Sequence, residues 1–98
     1  MEPRVTVDFG DPARVTITGD LDLVGASILK GLVCRVARRG RDLVFDLSGV
    51  AFIDCSGLEA LLTVRRLTES RGGTFSLEHV APAVRRVIHL TRAPLPVT

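Results

Sequence analysis

The chain has no tryptophan and no tyrosine, and four phenylalanines are its whole aromatic content in 98 residues. Tyr and Trp are the usual platforms for stacking nucleic-acid bases, so that mode of binding has little to work with. Cysteine is equally scarce, with Cys34 and Cys55 the only two. A disulfide scaffold of this size normally carries more, and both therefore read as free thiols in a reducing compartment. There is no C-x-x-C, and His79 and His89 stand ten apart without companions at ligand spacing. That leaves no expected metal and no expected cofactor. No apolar run approaches the ~18 residues of a membrane helix. The stretch from Met1 to Asp11 is charged and lacks the apolar segment of a secretion signal. A cytoplasmic protein without a membrane partner is the expectation.

Charge is balanced, with a net value of +2. Arginine supplies twelve of the thirteen basic residues, but scattered along the chain. The densest group, Arg35, Arg38, Arg39 and Arg41, falls where a first helix should end, and cations there are favoured by the helix dipole. A solvated helix terminus accounts for it better than a phosphate-binding patch, and no direct nucleic-acid partner is expected.

What is present is enough Leu, Val and Ile for one sheet and a few helices in a single domain, residues 1–98. Val5, Val7 and Phe9 alternate with Thr6 and Asp8, the period of a half-buried strand. After turn residues Gly10 to Ala13, Val15 and Ile17 alternate again, which predicts a hairpin with Gly19 ending its second strand. Ala26, Leu29, Leu32, Val33 and Val36 then recur at helical spacing between Leu23 and Arg39. Gly25 and Gly31 each weaken that helix by roughly 1 kcal/mol relative to Ala, and Gly40 stops it. Leu43, Val44, Phe45 and Leu47 read as a central buried strand broken by Ser48-Gly49. A second helix from about Ser56 to Arg71 buries Leu58, Leu61, Leu62, Val64 and Leu67. Phe75 and Leu77 make a further strand, and Pro82 opens a last helix with Val84, Val87, Ile88 and Leu90 inward. The path of Thr91 to Thr98 stays open. The fold class is α/β: a small mixed sheet opened by a β-hairpin, later strands parallel through helical crossovers, and helices mainly on one face.

The chemically informative stretch is Asp46 to Glu59, in which a buried strand leads to a turn, Phe52 and Ile53 return to the core, and a helix starts at Ser56. Ser56 and Glu59 have the spacing of a capping box, in which the hydroxyl bonds the N3 amide and the carboxylate reaches back to the cap. On that reading they do no more than stabilise a helix by roughly 1 kcal/mol. Position offers a second reading, because loops at the carboxyl ends of parallel strands carry the sites of α/β sheets. Asp20 and Asp22 follow the second strand, Asp46 and Ser48 end the third, and Asp54 to Glu59 come just after. Asp22 is equally suited to cap the first helix. An enzyme built on Cys55 has less behind it: in the phosphatase pattern of Cys, five intervening residues and Arg, the Arg position is filled by Leu61 after Cys55 and by Gly40 after Cys34. Neither a Walker lysine motif nor a G-x-G-x-x-G after a strand is present.

Gly19-Asp20-Leu21-Asp22, Asp46-Leu47-Ser48-Gly49-Val50 and Phe52-Ile53-Asp54-Cys55-Ser56-Gly57-Leu58 together resemble the STAS domain of bacterial anti-sigma-factor antagonists, in order from about Val5 to Leu90. The resemblance implies a protein with no catalysis of its own. It makes Ser56 the phosphoacceptor, and Asp20, Asp22, Asp54, Cys55, Gly57, Leu58 and Glu59 the surface that meets the partner. The implied partners are an anti-sigma factor with serine kinase activity, whose capture frees a sigma factor, and a serine phosphatase that reverses the modification. A non-catalytic STAS subunit of a lipid-transport or signalling complex is the alternative. Cys55 departs from the family in replacing a common Ser or Thr. The sequence also ends soon after the third helix, where relatives usually add another strand or helix.

Overall fold

Hairpin, crossover and crossover again are what the alternation of strand and helix patterns dictates, and the chain follows that order. The computed structural model describes residues 1–97. Its elements are β1 (Arg4–Asp8), β2 (Ala13–Leu21), α1 (Leu23–Ala37), β3 (Leu43–Ile53), α2 (Cys55–Ser70), β4 (Phe75–Glu78) and α3 (Pro82–Thr91). β1 and β2 pair antiparallel, with Val5 opposite Ile17 and Val7 opposite Val15. β2 with β3 and β3 with β4 pair parallel, each joined through a helix. The sheet order is β1-β2-β3-β4.

One face of this sheet holds the core. Val15 and Ile17 of β2, Leu43, Phe45 and Leu47 of β3, and Phe75 and Leu77 of β4 pack beneath Leu29 and Val33 of α1. Leu61 and Val64 of α2 and Val84 and Ile88 of α3 complete the same cluster. Residues of opposite parity, such as Arg14, Thr16, Asp46, Ser76 and Glu78, lie on the other face and stay at least partly exposed. The expected one-sided arrangement of helices is what the chain adopts.

The largest departure from expectation is in β3. Ser48-Gly49 does not break it; the strand runs on to Ile53. Thr16 pairs with Asp46 but Thr18 with Gly49, and Gly19 pairs with Val50 but Asp20 with Phe52. Each step leaves one extra residue on β3, so two bulges are inserted, and each flips the alternation of faces. The buried series therefore runs Leu43, Phe45, Leu47, then Val50, then Ile53. Phe52, expected to return to the core, is 51% exposed. In the same way Gly19 does not end β2, which continues to Leu21.

Helix faces need smaller corrections. Leu32 of α1 and Leu90 of α3 are exposed, while Leu62, Leu67 and Val87 are only partly buried. Ala60 and Thr68 take inward positions on α2, where the Thr68 hydroxyl donates to the Val64 carbonyl at 2.7 Å. Beyond α3 the chain turns through Arg92 in the left-handed region, buries Leu95, and brings Val97 into a parallel bridge with Leu77 on the outer side of β4. Of the open stretch Thr91 to Thr98, Thr98 lies outside the described residues. No helix of the described residues is long and apolar enough to cross a membrane.

Candidate functional site

Parallel pairing sets Leu21 beside Ile53, so β2 and β3 end side by side. An aspartate follows each end, and each caps the helix that comes next. Asp22 is extended (φ −100°, ψ −160°), and its Oδ1 accepts from the amides of Val24 and Gly25, both at 3.1 Å. Asp54 (φ −122°, ψ −170°) does the same with Ser56 at 2.9 Å and Gly57 at 3.2 Å. Two helix N-termini, each closed by a carboxylate, thus lie at the same end of the sheet. The cap of α2 is Asp54 and not Ser56, which corrects the capping-box reading. An aspartate carboxylate accepts two amides at once, and it holds the extended conformation that a cap requires.

Glycine at the third position of each helix makes the arrangement possible. A Cβ on Gly57 would stand 2.1 Å from the Leu21 carbonyl oxygen, and one on Gly25 would stand 2.5 Å from that of Asp20. The end of β2 passes too close to both helices for any side chain there. The repeated Asp-x-x-Gly, Asp22 to Gly25 and Asp54 to Gly57, was the sequence signal for this twin cap. Read as a weakness of α1, Gly25 gave no sign of it.

Ser56 is released from capping by this geometry. It occupies the second position of α2, half-buried, and its hydroxyl makes no hydrogen bond among the described residues. It lines a depression of about 280 Å³ with Leu23, Ala26, Ser27, Lys30 and Glu59. Glu59 does not reach back to the cap; it is exposed and sits 3.9 Å from the Lys30 ammonium. Lys30, which sequence reasoning passed over, therefore brings a cation to the serine. Only the packing of α1 against α2 puts it there.

The remaining expected residues divide. Cys55 is exposed at the first position of α2, and both cysteines are free thiols. Gly57 and Leu58 are buried beneath the surface. Asp20 accepts from the amino group of Met1 at 2.7 Å, an interaction that raises the pKa of that amine. Asp46 and Ser48 are not part of the cluster. The two bulges carry β3 well past them, and the Asp46 carboxylate accepts from the Ser48 amide at 2.9 Å. That bond, with further help from the Ser48 side chain, His79 and Arg14, lowers the Asp46 pKa.

Comparison with known proteins agrees with this architecture. The family model described as Mlab, STAS domain matches residues 5–93. The anti-sigma-B factor antagonist of Bacillus subtilis (strain 168) is 27% identical over 78 residues, covering 80% of this chain and 72% of its own. The crystal structure of an anti-sigma factor antagonist from Mycobacterium paratuberculosis is 31% identical, with a TM-score of 0.77 over 99% of this chain and 87% of that one. The phosphorylated form of the Bacillus cell fate determinant SpoIIAA shares the fold at 20% identity, with a TM-score of 0.71 over 90% of this chain and 83% of that one. A family match that takes in all three helices and both capping aspartates leaves one assignment: the chain belongs to the STAS domain family.

Proposed function

We propose that the protein is an anti-sigma-factor antagonist without catalytic activity, acting in the cytoplasm and switched by phosphorylation of Ser56. The unphosphorylated form binds an anti-sigma factor that is also a serine kinase, and so frees a sigma factor. The modified form lets go, and a serine phosphatase restores it. The observation that carries this reading is the unbonded Ser56 hydroxyl at the start of α2, in a depression shared with Lys30 and Glu59. Asp22, Asp54, Cys55 and Glu59 contribute the surrounding surface, while Gly57 and Leu58 hold it up from below. Relatives named as antagonists, and a protein of the same fold crystallised in a phosphorylated form, support the same role.

The energetics favour a switch over unfolding. A phosphate adds about −1.5 to −2 charges. The helix N-terminus favours it by about 0.3–1 kcal/mol, and Lys30 adds attraction, so the fold tolerates it. A docked partner that meets carboxylates here instead meets a concentrated anion. One like-charge pair at about 4 Å costs roughly 4 kcal/mol at an effective dielectric near 20, close to a thousandfold in affinity. The test is incubation with the cognate kinase and ATP, followed by peptide mass spectrometry. Phosphate on Ser56 is expected. Ser56→Ala should bind the kinase and accept no phosphate, and Ser56→Asp should bind at least about tenfold more weakly. Modification at another residue would overturn the assignment.

A second reading, a non-catalytic subunit of a lipid-transport or signalling complex, fits the same STAS domain match. Co-purification from the native host separates the two, since a transport ATPase in place of a small serine kinase would support the subunit.

A further inference from the structure

A four-stranded sheet has two edges, and this one treats them differently. Outside β4 the bridge from Leu77 to Val97 begins to cover the edge. Outside β1 no strand pairs among the described residues. Open edges are usually protected by Lys, by an internal Pro, or by a bulge. β1, Arg4-Val5-Thr6-Val7-Asp8, has no Lys, Pro or bulge, carries its charges only at its two ends, and pairs with β2 in unbroken register.

The flank beside that edge is apolar and exposed. Val24, Ile28 and Leu32 follow one another at four-residue spacing on α1, and all three are exposed. Phe9, 66% exposed, lines one groove with Leu32 and, around the C-terminal end of α1, Arg35, Arg39 and Arg41, while a Cβ on Gly25 would stand 3.3 Å from Pro3. Both ends of β1 therefore lie along this side of α1. Arg4 and Asp8, at the two ends of the strand, make no ion pair among the described residues.

We propose that β1 is a self-association edge, at which a second copy of the chain pairs antiparallel about a two-fold axis through Thr6. In this register Arg4 of each copy faces Asp8 of the other, Thr6 meets Thr6, Val5 faces Val7, and Pro3 faces Phe9. Opposite charges meet on the open face of the sheet, and apolar groups meet on the helix face. A slip of two residues one way sets Asp8 against Glu2, and a parallel pairing brings Arg4 towards Arg4. The proposed register is the one that sets both charges of the strand against opposite charges. α1 touches both β1 and β2 and so lies over the gap between them. With strands about 4.8 Å apart, the two α1 axes come about 10 Å apart across the axis, the distance at which helices pack. Val24, Ile28, Leu32 and Phe9 are then covered, and the two sheets join into one. None of these residues belongs to the Ser56 depression, and the pairing holds whether or not Ser56 takes phosphate.

Sedimentation equilibrium at about 100 μM, a concentration at which a modest interface is populated, should give twice the 10.6 kDa chain mass. Arg4→Asp alone and Asp8→Arg alone should each weaken the dimer about tenfold, because the two-fold axis repeats every charge clash. The double swap R4D/D8R should restore it. Ile28→Glu should give a monomer whose circular dichroism is unchanged. Thr6→Cys should crosslink to its copy on mild oxidation, being within disulfide reach across the axis, whereas Thr16→Cys on the neighbouring strand should not. A monomeric wild type overturns the proposal. So does a dimer that survives Ile28→Glu, or a double swap that stays as weak as the single ones.

Discussion

At the scale of single residues, the most constrained position is one with no side chain. Gly57 sits under the Leu21 carbonyl, and a methyl group there would overlap backbone that β2 pairing holds in place. No flexible neighbour can yield. Gly57→Ala gains about 1 kcal/mol in helix propensity but loses more by forcing α2 away from the strand, and overpacking typically costs about 1–3 kcal/mol and at times more. The net expectation is a loss of at least about 2 kcal/mol in urea unfolding, with Ser56 moved along with its helix. Wild-type stability in Gly57→Ala would mean that the close approach is not a constraint. Leu58, next in sequence, belongs to the same scaffold through its burial.

At the scale of elements, α1 holds two glycines that sequence reasoning treats alike and the structure separates. Gly25 is pinned against the Asp20 carbonyl, but a Cβ on Gly31 would meet nothing within 4 Å. Gly31→Ala should therefore stabilise the protein by about 0.5–1 kcal/mol, and thermal unfolding should rise by about 3–6 °C. An unchanged or lower midpoint would contradict it. The same contrast explains what was legible in advance. Periodicity located every strand and helix because it reports which face is buried, and that depends on local spacing alone. It failed where a neighbouring element decides. The bulges of β3 follow from its register against β2, so Phe52 looked inward and Ser48-Gly49 looked like a turn. Ser56 was found as the centre of the site through the Asp-Cys-Ser-Gly segment. Its freedom from capping and its neighbour Lys30 depend on how Asp54 closes α2 and how α1 packs beside it.

At the scale of the whole molecule, a sheet covered on one face leaves its other face to polar chemistry. Across that face Arg14 donates to Glu78 at 2.9 Å, His79 lies 4.0 Å from the same carboxylate, and Asp46 stands between β2 and β4. The Asp46 pKa is lowered, first by the Ser48 amide, then by the Ser48 side chain, with burial opposing and His79 and Arg14 assisting. A carboxyl group whose folded pKa is depressed binds its proton more readily in the unfolded chain. Its contribution to stability is therefore complete above the unfolded value, near pH 4, and is lost as pH falls through the folded value. Asp46→Ala should cost about 1 kcal/mol at neutral pH, the worth of one hydrogen bond. The gap between variant and wild type should narrow steadily below about pH 4. Other carboxylates titrate in both proteins and cancel in that difference, so urea unfolding of the pair at about pH 7 and about pH 2.5 isolates this one group. A gap that stays constant across that range would mean that the ionised form of Asp46 has no advantage in the folded chain. The open face would then owe its order to strand pairing alone, and not to the charges that lie on it.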